Sequence, residues 1–380
     1  MRVTTGVRGG DPLWFAVDAD HAHLLSDRAD HVAVTLLLPA MKAGRDLRIG
    51  GRMTDVLLHQ MNGDLQSLLR SIHPELRSVT VTADEVAPAA APAAGVGAGF
   101  SGGVDSLSVV RTYLLDEDVP PALRLTHLLN YNVGSHGPDG TELWRARSAP
   151  LARAAAQWGV PFVRVDSNVD AHYPDVGFYE SVTLRNAAVP HLLTGGIGRV
   201  QVAAAQTFFH ARIGTHGDIA LSDTLLLPLL STPAMTQSSA NSGLSRLEKT
   251  VALIGRPEAR YLDVCIASDP GPLRNCGACD KCLRAMLTLE VAGHLDDFVP
   301  TVFPREPYLA RRAAYIAEIL GDDQAFAVEI RDFAASRGWI WGAAAYGRAA
   351  TTRVRRFGGR MLRGAARTAP GRFVRRALSV

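Results

Sequence analysis

Lysine is almost missing from this 380-residue chain. It occurs at Lys42, Lys249 and Lys281 alone, so arginine carries nearly all the positive charge. No apolar run approaches the ~18 residues of a membrane-spanning helix, and the opening MRVTTGVRGGDPLWF lacks the apolar core of a signal peptide, so a cytoplasmic protein is expected. Cysteine is confined to Cys265, Cys276, Cys279 and Cys282, within eighteen positions, which leaves none elsewhere for a disulfide framework. With 47% hydrophobic and 20% charged residues the chain is neither disordered nor collagen-like, and it shows no internal repeat.

The formal charge of +3 is unevenly spread. Residues 348–380 hold ten arginines and no acidic residue, which leaves −7 on the remainder. An anion bound by that acidic body must be held by local dipoles and a few placed cations. In the tail, Val354, Phe357, Met361 and Ala365, then Phe373, Val374, Ala377 and Leu378, form two apolar faces separated by Pro370. A basic amphipathic segment of this kind suits an anionic membrane surface, an acidic partner or RNA, and would place the protein peripherally at a membrane in the first case. A disordered solubilising tail is the plain alternative.

Residues 1–86 read as a small α/β domain, with a strand at 31–40, helical spacing over 54–72 and an alternating strand at 77–86. The Ala- and Pro-rich stretch 87–95 reads as a linker. From 96 to 300 strand and helix signals alternate: strands at 95–100, 123–133, 161–167 and 199–207, helices at 104–115, 143–159 and 181–193. That order predicts a parallel sheet covered by helices. Residues 301–345 read as a helical extension, with amphipathic segments at 309–320 and 323–338, and 346–380 as the basic tail.

The most informative stretch is GAGFSGGVDSLSVV, Gly97 to Val110. A strand ends at Phe100, Gly102 and Gly103 permit a tight turn, and the following helix directs free N–H groups at it, which makes an anion site. Ser101 and Ser106 add hydroxyls. A strand–turn–helix junction with Asp105 as a helix cap is the structural alternative. The GxxxxGK[ST] phosphate loop is absent. The cysteines form C-x10-C-x2-C-x2-C, a spacing that lets four thiolates close a tetrahedron with no open position, hence structural zinc; an iron–sulfur cluster or cysteines without metal are the alternatives.

SGGVDS resembles the pyrophosphate loop of the N-type ATP pyrophosphatases (PP-loop enzymes), the group that contains the asparagine, GMP and NAD synthetases. The resemblance implies an α/β, parallel-sheet domain of the adenine nucleotide alpha hydrolase-like (HUP) class. It also implies cleavage of ATP to AMP and pyrophosphate with adenylation of a carboxylate-type oxygen. Phe100, Ser101, Gly102, Gly103, Val104, Asp105 and Ser106 would then line the ATP pocket, with Asp105 a magnesium contact. Asn130, Asn132 and Gly134, at the end of the second strand, would neighbour the adenosine; a plain strand and turn is the alternative for each.

VCIASDPGPLRNCGACDKCLRAM is similar to the zinc segment of 7-cyano-7-deazaguanine synthase-like proteins, and LRN at 184–186 and RLEKTVAL at 246–253 match two further fragments in the same order over 97–286. By that resemblance Arg185 and Lys249 assist at the phosphates. The recognition loop of that family is missing, however. Here the segment contains His210, His216, Asp218, Ser222 and Asp223, so a different substrate is expected, though each of these residues taken alone reads first as a loop or cap residue. With every cysteine committed to metal there is no fused glutaminase, and the partners expected are a small-molecule carboxylate and ammonia or an amine. A homodimer is among the expectations. The rival functions are a nucleic-acid-modifying enzyme of the same superfamily and a non-catalytic nucleotide sensor.

Overall fold

The computed structural model describes residues 1–347 apart from 8, 9, 138, 139, 270, 343 and 344. A first unit, Met1–Arg274, contains β1 (Arg2–Thr5), β2 (Leu13–Val17), α1 (Asp30–Ala43), β3 (Leu47–Thr54), α2 (Asp55–Met61), α3 (Asp64–Ile72) and β4 (Val81–Ala87). It continues through β5 (Gly95–Gly99), α4 (Val104–Val110), β6 (His127–Asn132), α5 (Thr141–Gln157), β7 (Phe162–Ser167) and α6 (Phe178–Leu192). β8 (Ile197–Ala203), α7 (Asp223–Leu229), β9 (Thr236–Ala240) and α8 (Arg246–Val251) complete it.

The central seven-stranded sheet has the order β1-β2-β7-β6-β5-β8-β9. Its five strands from β7 to β9 run parallel, and β1 and β2 are antiparallel additions. The chain winds outward from β5 through β6 to β7, then returns to the other side of β5 to lay down β8 and β9. Because crossovers keep one hand, reversing the winding direction moves the connecting helices to the opposite face. The strands show it. Leu129, Val163, Val165 and Val200 enter the core shared with α1, α6 and α7, whereas Ala98 and Leu128 are buried outside that core, on strands contacted by α4 and α5.

Residues 31–40 are helical, not a strand. Asp30 to Thr35 are all buried, so the three-to-four-residue periodicity that would mark a helix is erased, and the left-handed Gly44 (φ 63°) ends it. The 1–86 segment also does not stand apart from the sheet. Leu13, Phe15 and Val17 alternate as the buried face of β2, which pairs Val17 with Val165 on the edge of β7. β3 and β4 form a separate two-stranded parallel sheet.

A second unit begins at Asn275, so the helical region starts before 301. Its helices α9 (Asp280–Val291), α10 (Arg305–Gly321) and α11 (Ala325–Ser336) pack together, with Glu290 of α9 accepting from Tyr308 and Arg312 of α10. The expected tail lies outside the described residues apart from Tyr346 and Gly347. Among the described residues no helix is long and apolar enough to cross a membrane.

Candidate functional site

In an open parallel sheet the crevice lies beyond the carboxyl ends of the strands where the winding reverses. Here that point is the end of β5 beside the end of β8, and β5 runs directly into Phe100 and the Ser101–Ser106 turn. Phe100 is buried, with its ring centroid 5.5 Å from Trp158. Gly102 has φ 78°. Gly103, in extended conformation, precedes the first turn of α4. The hydroxyls pin the turn: Ser106 Oγ donates to Gly103 O at 3.0 Å and lies 3.3 Å from Ser101 Oγ, and Ser101 Oγ accepts the Gly103 N–H at 3.3 Å. Val104 packs inward.

Lys249, expected near the phosphates, does reach this turn. Its buried ammonium donates to Ala204 O at 2.6 Å and to Asp105 Oδ1 at 3.4 Å. Arg246 joins it: Nη2 lies 2.6 Å from Asp105 Oδ2 and 3.3 Å from Ala205 O. Both cations thus bridge Asp105 to the end of β8. A capping box, Ser245 with Glu248, fixes the start of α8 and so the aim of both side chains. Burial would raise the Asp105 carboxyl, but Arg246 and Lys249 outweigh it and hold its pKa below the ordinary value. Arg246 was not anticipated; its signal in the sequence is the i, i+3 spacing to Lys249, which places both on one helix face.

Asp105 does not fit its expected role toward magnesium in this arrangement. Both of its oxygens face cations, and a divalent ion there would have to displace Arg246.

The expected adenosine neighbours are committed to the fold. Asn130 donates to Phe100 O at 2.7 Å and accepts from Trp144 Nε1 at 2.5 Å, and Asn132 donates to Asp166 Oδ1 at 2.9 Å. They brace the strand ends. Gly134, at φ 113°, leaves room for an ion pair: a Cβ would sit 2.3 Å from Arg185 Nη1 and 2.8 Å from Asp170 Oδ1. Arg185 is 1% exposed, lies 2.6 Å from Asp170, donates to Val133 O and Ser181 Oγ, and stacks over Tyr173 at 4.1 Å. It braces this core and is not presented to the Ser101–Ser106 turn as expected.

The segment after β8 is likewise largely self-contained. His216 Nε2 lies 3.1 Å from Ser222 Oγ, Ser222 donates to Arg212 O, and Asp218 caps a short helical turn through Ala220 N. Asp223 accepts from Thr183 Oγ1 at 2.5 Å, and burial pushes its pKa up to about 7. His210 pairs with Thr207, while Phe208 and Phe209 are exposed.

A second contact to the turn was also not anticipated. Asp263 N–H donates to Gly102 O at 2.8 Å, and its side chain, 2% exposed, lies 4.0 Å from Arg147 while both carboxylate oxygens accept no hydrogen bond among the described residues. No pattern around residue 263 signals this in the sequence, because Gly102 and Arg147 lie more than a hundred positions away.

The ligand atoms of Cys265, Cys276, Cys279 and Cys282 all lie within 4.8 Å of one another, and no disulfide joins them. A tetrahedron with ~2.3 Å metal–sulfur bonds has sulfurs ~3.8 Å apart, so the set fits one ion such as zinc. Backbone N–H groups already point at sulfur: Ala267 at Cys265 Sγ, 3.3 Å, and Ala278 and Cys279 at Cys276 Sγ, 3.4 and 3.3 Å. Gly277 (φ 69°) makes the second pair of donors possible, since a Cβ there would lie 2.9 Å from Pro304 O. Compared with known proteins, the chain is matched by no family model, no curated protein and no solved structure.

Proposed function

We propose that the chain is an adenylating ligase of the N-type ATP pyrophosphatase kind, carrying a structural zinc. The observation that carries this reading is the placement of SGGVDS at the end of the central strand, at the reversal point of a parallel sheet, with Arg246 and Lys249 brought to it from α8. The turn takes the β- and γ-phosphates of ATP. Before the nucleotide arrives, Asp105 holds the two cations in position. When it arrives, Arg246 and Lys249 exchange the carboxylate for phosphate oxygens and stabilise charge on the leaving pyrophosphate. A substrate carboxylate oxygen attacks the α-phosphorus as the bond to the bridging oxygen breaks. The acyl-adenylate then loses AMP to a nitrogen nucleophile, whose proton passes to solvent. The catalysis is positioning and electrostatics, so no acid–base pair is required. No step is assigned to magnesium.

The residues around zinc hold it with four thiolates and no open position, which suits a structural ion. The test is incubation with ATP, ammonia and ¹⁸O-labelled carboxylates. The expected result is AMP and pyrophosphate in equal amounts, with ¹⁸O carried into AMP and both products lost in Asp105→Ala and Ser101→Ala. Tight ATP binding without AMP from any carboxylate would leave a nucleotide sensor instead. The ten arginines of 348–380 favour a second reading, a nucleic-acid substrate, which predicts a salt-sensitive RNA affinity that disappears when those residues are removed.

A further inference from the structure

We propose that Arg147 is a positioning residue through which metal occupancy of the cysteine cluster sets the geometry of the Ser101–Ser106 turn; its consequence for ligand binding rests on the phosphate-site reading above.

Residues 261–267 form one short connecting segment with a different partner at each end. At the first end it is seated against the turn. Asp263 N–H donates to Gly102 O at 2.8 Å, and a Cβ on Gly102 would lie 3.0 Å from Tyr261 O and 3.3 Å from Asp263 Cβ, so there is no slack between the two. At the other end stands Cys265, a member of the cluster. Arg147, from α5, grips the backbone at Cys265 and two residues beyond it, with Nη1 donating to Cys265 O at 2.7 Å and Nη2 to Ala267 O at 3.2 Å. The same Nη1 lies 4.0 Å from Asp263 Oδ1. One guanidinium therefore faces the ligand's backbone and the residue that holds Gly102.

A planar fork with two donors matches two carbonyls only in one backbone conformation. A metal ion on Cys265 Sγ fixes that conformation. Without it the thiolate is free to turn, Cys265 O and Ala267 O leave the plane of the fork, and Asp263 loses its registration against Gly102. The turn then keeps its own hydroxyl contacts and the grip of Arg246 and Lys249 on Asp105, but loses its seat at Gly102. Coupling between two sites is reciprocal, so a phosphate ligand that requires the seated turn must also tighten metal binding by the same factor.

The full-length chain tests this with two readouts. Hydrogen exchange of the amides at 101–106, with and without zinc, reads the turn directly. Zinc competition against a chromophoric chelator, with and without inorganic pyrophosphate, reads the coupling. In wild type, stripping zinc is expected to speed exchange at the turn, and pyrophosphate is expected to tighten zinc by about tenfold, inside the usual range of such couplings. In Arg147→Met, which keeps the stem but not the fork, zinc still loads at one per chain, while exchange at 101–106 is fast in both states and pyrophosphate no longer alters zinc affinity. Arg147→Lys, with one point donor, restores only part of the coupling. Where stripping unfolds the chain, zinc-loaded wild type against zinc-loaded Arg147→Met carries the comparison.

Exchange at the turn that ignores both zinc and Arg147 overturns the inference. So does pyrophosphate binding that leaves zinc affinity unchanged, and in that case the phosphate reading survives. A turn that responds to zinc through Arg147 but binds no pyrophosphate upholds the positioning role and overturns the phosphate reading.

Discussion

Two adjacent glycines in the SGGVDS turn should respond very unequally to the same substitution. Gly102 has φ 78°, and an added Cβ would meet Tyr261 O and Leu151 Cδ2 at 3.0 Å and Asp263 Cβ at 3.3 Å. An alanine held in a left-handed conformation costs about 1–2 kcal/mol. Relieving the contact with the Tyr261 carbonyl means moving the 261–263 backbone, which breaks the Asp263 to Gly102 hydrogen bond, a further loss of about 1 kcal/mol. Gly102→Ala should therefore destabilise by about 2–3 kcal/mol, or roughly 4–12 °C in Tm for a unit of this size. Gly103 is different. Its φ of −69° suits any residue, and its nearest contact would be Ser101 Oγ at 3.4 Å. Gly103→Ala should stay within about 0.5 kcal/mol of wild type. Thermal unfolding of the two variants at equal zinc content checks this. Equal Tm values for the pair, or an unchanged Gly102→Ala, would refute the claim that the turn is seated on the 261–263 segment.

Other outcomes follow from the same geometry. Gly134→Ala drives a methyl into the Arg185–Asp170 pair and should lose about 3–5 kcal/mol, read by chemical denaturation, because Arg185 is left as a buried charge with its partner displaced. Asp223→Asn should be more stable than wild type at pH 8 by up to ~4 kcal/mol, given a folded pKa of about 7 against 3.8. The sign follows from the raised pKa: the acid's contribution is whole below 3.8 and is lost as pH rises through about 7, so the gap should close toward pH 4; denaturation midpoints across that range check it. Purified protein should hold one zinc per chain by elemental analysis, and Cys279→Ser should lower both the zinc content and the Tm. Asp105→Asn should lower stability by more than the loss of an exposed pair, since Lys249 is 1% exposed and loses an opposite charge.

Local patterns were legible wherever one face of an element meets solvent or one spacing fixes the chemistry. The alternation in β4, the α2 and α3 helices, the cysteine spacing and the strand–turn–helix setting of Ser101–Ser106 could all be read from neighbouring residues. The α1 helix could not, because burial of Asp30 through Thr35 removes the polar face that reveals a period. Asn130 and Asn132 look like ligand donors in a sequence, and only the sheet shows that Phe100 O, Trp144 and Asp166 already occupy them. Arg246 and Asp263 meet the turn from 141 and 161 positions away, a juxtaposition produced by topology and not by spacing.

The antiparallel β1–β2 hairpin has a consequence for anyone shortening this protein. It is laid against Val165–Ser167 of β7, the strand that would otherwise end the parallel sheet, and the border there is moved to a four-residue strand bearing Arg2 and Thr4 on its exposed side. A fragment trimmed to begin at the Ala- and Pro-rich stretch would retain the Ser101–Ser106 turn yet uncover Val165–Ser167 of β7, an invitation to pair with another molecule. The opening residues act as the selvedge of the sheet: without them a paired border becomes an open one.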